Sequence, residues 1–305
     1  MTLIQGLVVR SVGSQYSIRT NEGILHAQLR GKLRLLESSS TNPVVVGDWV
    51  DLDNDEVLTI SAVHDRKNKF SRKAIGNENQ EQLLAANIDQ LVIVSSVKSP
   101  TIRYQFIDRC MVSAEAFRIP VHLIFTKTDL VKNLQDLQDE IEDSYLQSAD
   151  SIHLVNLVSS PLPISIKNLF EGRMSLLTGL SGVGKSTLIK QLIPESKVKI
   201  GITSVKWDQG KHTTSFAELH EVAPGTDIID TPGLREFALH DVEAWELSHF
   251  FREMVPYLDG CKYSKCSHTH EPVCAVKAAV ENGEISVRRY ESYLLIYEDL
   301  LSKED

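Results

Sequence analysis

Apolar and polar residues alternate in short bursts through the first part of the chain, over residues 6–12, 16–19, 24–29, 49–52 and 57–63. Gly13-Ser14, Asn21-Glu22-Gly23 and Asp53-Asn54-Asp55 punctuate them. Five period-two segments bounded by turn residues predict a small β-barrel, with the five-stranded oligonucleotide-binding barrel (OB-fold) as the leading arrangement and an SH3-type barrel as the alternative. From about residue 86 the rhythm changes to continuous apolar runs separated by helical periodicity. Residues 91–97, 121–126, 152–158 and 174–178 read as buried strands, and residues 105–117 and 132–147 as helices between them. Strands covered by helices on both faces give such runs, so a mostly parallel α/β sheet is expected. Beyond Pro232-Gly233 the pattern is helical, over residues 242–258, 273–281 and 286–302, with a Cys/His loop after the first.

In an open α/β sheet the ligand sits at the carboxyl ends of the strands, so the loops there are where chemistry is expected. Gly179-Leu180-Ser181-Gly182-Val183-Gly184-Lys185-Ser186 follows the strand ending at Thr178 and opens a helical run from Thr187 to Leu192. It matches G-x-x-x-x-G-K-[ST] in the context that a P-loop requires. Its glycines let backbone N–H groups converge on a phosphate, the helix N-terminus adds its dipole, Lys185 neutralises β and γ oxygens, and Ser186 is a Mg²⁺ ligand. Asp230-Thr231-Pro232-Gly233 ends a further apolar strand 44 residues after Ser186. Asp230 stands where a Walker B carboxylate holds the metal, and Gly233 offers an N–H to the γ-phosphate. Between the two, in Lys211-His212-Thr213-Thr214, Thr213 or Thr214 is the candidate switch threonine that closes over Mg²⁺.

Thr126-Lys127-Thr128-Asp129 ends another strand and resembles the guanine-reading N-K-x-D motif. A carboxylate at Asp129 accepts from both guanine N1–H and the exocyclic amine, which adenine does not offer together. Thr126 stands where the motif has Asn, so weaker nucleotide binding with base selectivity kept is expected. Ser159, in Ser159-Ser160 after the strand at residues 152–158, is the candidate for a loop against the guanine oxygen. The order is the informative point: the base-reading set precedes the phosphate-reading set, and one site forms from both only if the sheet is circularly permuted, with new termini near residues 86 and 240. Leu234 occupies the place of a water-orienting Gln, so intrinsic hydrolysis is expected to be slow. His212 orients the attacking water or is an ordinary surface histidine, and the candidate catalytic set is Lys185, His212 and Thr214.

Cys261-x4-Cys266-x-His268-x5-Cys274 supplies three thiolates and an imidazole, enough to close a tetrahedral zinc site of the structural kind. His270 is an alternative to His268. Cys110 stands alone in an amphipathic stretch and reads as a buried small hydrophobe. The predicted architecture is therefore multidomain: an OB-fold barrel at 1–72, a circularly permuted α/β P-loop GTPase domain at 73–240, and a helical zinc-binding domain at 241–305.

The net charge of −9 argues against a nucleic-acid partner until its distribution is read. Residues 1–75 carry 10 Lys or Arg against 8 acids, whereas residues 236–305 carry 7 against 14. Arg66, Lys67, Lys69, Arg72 and Lys73 form the densest basic stretch, either a phosphate-backbone contact or a solvated linker. Arg30, Lys32 and Arg34 extend a basic barrel face. No apolar run is long enough for a membrane span, and residues 1–10 do not resemble a signal peptide, so a cytoplasmic protein without a membrane partner is expected.

Barrel, permuted GTPase motifs and Cys/His loop, in that order, resemble the RsgA (YjeQ/YloQ) family of bacterial ribosome-associated GTPases over nearly the whole length. The resemblance is carried by GLSGVGKS at 179–186, KHTT at 211–214, DTPG at 230–233 with Arg235-Glu236-Phe237 after it, and the Cys/His spacing. It implies late maturation of the small (30S) ribosomal subunit, GTP hydrolysis to GDP stimulated by that subunit, and a barrel contacting 16S rRNA. One structural Zn²⁺ and Mg²⁺ with GTP are the expected cofactors, and a monomer the expected state. The rival reading is a non-enzymatic RNA-binding assembly scaffold with a vestigial guanine-nucleotide site.

Overall fold

The structure, a computed structural model, describes residues 4–31, 42–54, 57–74, 77–193, 217–231 and 237–302. Strands β1 (Ile4–Val12), β2 (Gln15–Thr20), β3 (Gly23–Leu29), β4 (Trp49–Asn54) and β5 (Leu58–Val63) follow the predicted alternation. They pair in the order β1-β2-β3-β5-β4, and β4 returns to β1 to close the barrel. Only β3 and β5 are parallel, which gives the Greek-key closure of the OB-fold and sets aside the SH3-type alternative. Val8, Ile18, Val50, Leu52 and Ile60 point inward and fill it.

A hairpin of β6 (Lys69–Ala74) and β7 (Asn77–Ala86) comes next, where the sequence pattern predicted no strand. Most of the basic stretch has partners of its own. Arg66 donates to both oxygens of Asp48 at 2.7 and 2.8 Å, Lys67 to Asp89 at 2.5 Å, Lys69 to Glu81 at 2.5 Å, and Arg72 to Gln82 at 3.0 Å. Lys69 also pairs with Asp241 at 2.9 Å. These four cations are engaged by partners within the fold, because the stretch is a seam between elements.

The α/β part is a sheet of β8 (Gln90–Ser96), β9 (Val121–Thr126), β10 (Ser151–Val155), β11 (Met174–Thr178), β12 (Glu218–Ala223) and β13 (Thr226–Asp230). Its order is β10-β9-β8-β11-β13-β12, parallel throughout except for β12. Alternate residues serve opposite faces. Leu91, Ile93, Leu123, Phe125 and Leu176 pack with α1 (Tyr104–Ala116) and α2 (Leu134–Tyr145). Val92, Val94, Ile124 and Leu177 pack with α3 (Ile164–Phe170) and α4 (Lys185–Leu192). Cys110 is fully buried in α1, as expected. A bridge between Arg10 of β1 and Glu218 of β12 joins barrel and sheet into one eleven-stranded sheet.

The helix expected over 242–258 is instead two 3₁₀ segments, Ala244–Phe250 and Val255–Gly260. Pro256 has no N–H to return to the Arg252 carbonyl, so a continuous α-helix is disfavoured here, and the break lets Arg252 reach Glu115 (2.5 Å) while Glu253 turns to Arg289 (2.6 Å). Helices α5 (Ala275–Glu281) and α6 (Val287–Leu301) follow. Leu247, Phe251, Met254, Tyr293 and Ile296 share one core with α1 and its strands. Within that contact Asp108 of α1, wholly buried, accepts from Arg289 at 2.5 Å and Arg288 at 3.1 Å. Burial alone would lower the pKa of Arg289, but Glu253 and Asp108 outweigh it and hold the guanidinium charged. No described helix is long and apolar enough to cross a membrane.

Candidate functional site

Because β8, β9, β10, β11 and β13 run parallel, the loops leaving them lie along one edge of the sheet. The loop after β11 is the P-loop. Gly179 has φ +148°, and a Cβ there would lie 2.2 Å from the Val94 carbonyl oxygen, so only glycine lets the chain turn off the sheet at this point. Gly184, at φ +105°, turns it back into α4, whose N-terminus has no side-chain cap. Its first N–H groups therefore face outward for an anion. Lys185 is buried and curls over the loop, donating from Nζ to the Gly179 carbonyl at 2.7 Å and to Leu180 at 3.1 Å. Burial lowers its pKa, and Asp230 works against that shift. Val183 is buried, whereas Ser181, Gly182, Ser186 and Thr187 are exposed along the loop and first turn.

Asp230 ends β13 beside Leu177 of β11, next to the P-loop. Burial, reinforced by Glu218 and opposed by Lys185, lifts its carboxyl to about 6. Its Oδ1 is buried and has no hydrogen-bond partner among the described residues. An orphaned carboxylate oxygen near enough to Lys185 at the head of α4 to feel its charge is what a hard dication such as Mg²⁺ fits.

The candidate base-reading loop leaves β9. Thr126 is 1 % exposed and donates from Oγ1 to the Val183 carbonyl at 2.5 Å, with the Ser95 carbonyl at 3.3 Å. The residue standing in for Asn is thus turned beneath the P-loop, and it joins two stretches of chain 57 residues apart. Lys127 is left-handed at φ +60° and bonds the Ser99 carbonyl. It starts the 3₁₀ turn Thr128–Leu130, on which Asp129 is exposed. Ser159 lies in the loop after β10, where its Oγ accepts from Asn156 at 2.6 Å. Gln191 of α4 donates to Leu157 in that loop at 2.5 Å. No feature of sequence spacing pointed to Asn156, Gln191 or Ser99 as supports of this edge. His212, Thr213, Thr214, Gly233, Leu234 and Arg235-Glu236 lie outside the described residues, as do Lys32 and Arg34. Arg30 pairs with Asp53 at 2.6 Å.

In the C-terminal part, Cys261, Cys266, His268 and Cys274 bring their ligand atoms within 4.8 Å of one another. His268 Nδ1 is 3.5 Å from Cys261 Sγ and 3.3 Å from Cys274 Sγ, and the two sulfurs are 3.9 Å apart. Tetrahedral zinc with bonds of about 2.0–2.3 Å requires edges of roughly 3.5–3.8 Å, so the group fits that ion and leaves no open position. The alternative His270 is exposed and bonds Thr269 at 2.9 Å instead. The loop is held by groups that the spacing did not reveal. Tyr290 donates to the His268 carbonyl at 2.6 Å and Tyr293 to that of Ser267 at 2.7 Å. Burial opposes ionisation of Glu271, but donors from Ser267 prevail and hold its carboxyl down to about 2.

A family model described as RsgA GTPase matches residues 63–240, and one described as RsgA N-terminal domain matches residues 5–58. The chain is 40% identical over 301 residues to a small ribosomal subunit biogenesis GTPase RsgA of Phocaeicola vulgatus, covering 97% of each chain. It is 38% identical over 306 residues to the protein of that name from Porphyromonas gingivalis strain W83, again over 97% of each. Among solved structures, YjeQ from Thermotoga maritima superposes with a TM-score of 0.75 at 31% identity, over 98% of this chain and 99% of that one. YloQ, described as a circularly permuted GTPase, shares the fold with a TM-score of 0.70 at 23% identity, over 99% and 96%. With matches from the barrel to residue 240 and relatives similar along their whole length, this chain belongs to the RsgA family of GTPases.

Proposed function

We propose that this protein hydrolyses GTP to GDP in the service of small-subunit assembly, with the 30S subunit and its 16S rRNA as partner and activator. The observation that carries the reading is the Thr126–Val183 hydrogen bond, which sets base-reading and phosphate-reading loops against each other despite their reversed order in the chain. Asp129 selects guanine, Lys127 packs along the base, and Ser159 lies over the guanine oxygen. P-loop N–H groups from Gly179 to Thr187 surround the phosphates, and Lys185 leaves its carbonyl partners for the β and γ oxygens. Asp230 and Ser186 would hold Mg²⁺, joined by Thr213 or Thr214. When bound there, that ion would supply positive charge against the negative charge developing on the phosphoryl oxygens. Gly233 senses the γ-phosphate, and His212 is the candidate for orienting water. With Leu234 in the Gln position, turnover waits on the ribosomal partner to organise the switches. The Cys261, Cys266, His268, Cys274 site is structural, and the protein works as a cytoplasmic monomer. The scaffold alternative gives way because the family is one of GTPases.

The test is GTP turnover with and without purified small subunits, beside an Asp129→Asn variant offered xanthosine triphosphate. Subunits raise turnover of the unaltered protein, and the variant shifts its preference toward the xanthine nucleotide. Absence of stimulation sinks the ribosomal reading; an unchanged preference sinks the role of Asp129.

A further inference from the structure

The hairpin β12–β13 bridges the chain between the candidate switch threonines and Asp230, and it is fastened to the barrel. Its outer strand β12 meets β1 at the Arg10–Glu218 bridge. From β2, Arg19 reaches across and donates to both oxygens of Asp227 in β13, at 2.8 and 2.5 Å, and to Glu221 in β12 at 3.3 Å. Asp227 is 6 % exposed, so this is a bidentate pair screened from solvent on the acidic side. Its hydrogen bond and the Asp227 charge outweigh burial and hold the Arg19 guanidinium charged. Asp227 lies three residues before Asp230 on a single short strand, Thr226–Asp230. Beyond the Asp230-Thr231-Pro232-Gly233 motif the chain is caught again. The Lys73 N–H bonds the Ala238 carbonyl at 3.0 Å, and Phe237 packs on Phe70 with ring centroids 5.3 Å apart.

We infer that Arg19 of the barrel, acting through Asp227, is a positioning residue for GTP hydrolysis: it couples the seating of the barrel on RNA to the placement of Asp230. This rests on the reading that RNA engages the barrel. The barrel holds this antiparallel hairpin near its turn, through Arg19, and again at the Arg10–Glu218 bridge, where Glu218 lies directly opposite Asp230, so a shift of the barrel is passed along the hairpin to Asp230. The reverse holds as well, because coupling of two binding events is reciprocal: nucleotide with Mg²⁺ changes the affinity of the barrel for its partner.

The experiment compares the full-length protein with Arg19→Met, Arg19→Lys, Asp227→Asn and the Arg19→Met/Asp227→Asn double variant. Two quantities are read: the Mg²⁺ concentration for half-maximal binding of a fluorescent GTP analogue, and the factor by which purified small subunits raise turnover. Arg19→Met and Asp227→Asn each raise the Mg²⁺ midpoint about fivefold and cut the stimulation factor by a similar amount, the low end of typical coupling between sites. Arg19→Lys, which keeps one charged donor, recovers most of both, and the double variant is no worse than the weaker single one. A pair that only braces the fold would lower the thermal midpoint while leaving Mg²⁺ midpoint and stimulation as in the unaltered protein, and that result overturns the proposal. If the unaltered protein itself is not stimulated, the ribosomal reading falls and the Mg²⁺ midpoints alone decide this one.

Discussion

Replacing Thr126 by Val tests how the permuted site is held together. The two side chains have nearly the same shape, so the substitution removes one hydroxyl and opens no cavity. That hydroxyl has a single hydrogen, and the 2.5 Å contact to Val183 takes it in preference to the 3.3 Å contact to Ser95. Both Thr126 and Val183 are buried, so the Val183 carbonyl finds no replacement donor. Loss of a buried hydrogen bond with one partner left unpaired costs about 1–2 kcal/mol. The P-loop then has to be ordered by the nucleotide itself, and this cost appears as an affinity loss of about 5- to 30-fold. GTP and GDP suffer alike, because the strained element is the loop under the phosphates that both share. The guanine preference does not move, since Asp129 is untouched. Thr126→Asn supplies an amide donor to the same carbonyl and retains most of the affinity. Fluorescent GTP and GDP titrations, repeated with the xanthine analogue, read all three effects. If Thr126→Val binds both nucleotides within twofold of the unaltered protein, or loses base preference, the brace is not what unites the two loops.

The zinc cluster predicts about one zinc per chain, lost in Cys261→Ser and His268→Ala but kept in His270→Ala, by metal analysis of purified protein. Asp108→Asn leaves Arg288 and Arg289 facing a neutral acceptor inside the core. Breaking a buried pair of this kind costs about 3–5 kcal/mol, read as a fall in thermal midpoint with nucleotide affinity unchanged. Burial lowers the His122 pKa to about 4, with its Nδ1 near the Ser151 hydroxyl at 2.8 Å. Between that value and the ordinary value of about 6.5 the unfolded chain binds the extra proton, so stability is present above about pH 6.5 and falls as pH drops toward 4, by at most about 3 kcal/mol. His122→Gln flattens that part of the stability profile in denaturant titrations. An unchanged slope would assign the acid sensitivity elsewhere.

Segments whose pattern belongs to one element were legible in the sequence, and segments that make junctions were not. The barrel strands showed themselves because Val8, Ile18, Val50 and Ile60 fill one small interior, and in β2, β4 and β5 polar residues such as Ser17, Arg19, Asp51, Thr59 and Ser61 alternate with them. The P-loop and the Cys/His loop were legible because their backbone and ligand chemistry tolerate few residue types. By contrast, β6 carries Lys69, Arg72 and Lys73; Lys69 is satisfied by Glu81 and Asp241 and Arg72 by Gln82, which come from other elements. No local rule separates such a strand from a loop. Likewise β12 turns only Leu219 and Val222 fully inward, too few to show a period. Residues 242–258 failed the other way: buried Ala244, Leu247, Phe251 and Met254 are spaced as on an α-helix, yet Pro256 and the demands of Arg252 and Glu253 break it. Thr126 read as a loss of base contact; its burial under Val183 shows a bond that only tertiary placement reveals.

Permutation is inexpensive for the fold and consequential for its wiring. The core depends on which strands are neighbours, and β11 lies between β8 and β13 whichever is made first. Rejoining the ends elsewhere changes loop lengths, and each doubling of a loop costs only about 0.6 kcal/mol. What changes is the attachment at each end. The chain enters this sheet from a barrel that reaches forward to clamp β12–β13 through Arg19. It leaves just after Asp230, by a segment pinned on β6 through Ala238 and Phe237, and continues into the region of the Cys/His cluster. Asp230 and the motif it opens thus lie between two fastenings, one in the barrel and one on the β6–β7 hairpin. In an unpermuted order the same strand would run on into the sheet, and no second domain would begin at the end of the switch. On the proposed reading, a nucleotide seated at Asp230 is then coupled to both fastenings, and a partner that displaces the barrel or the β6–β7 hairpin acts on the carboxylate in turn.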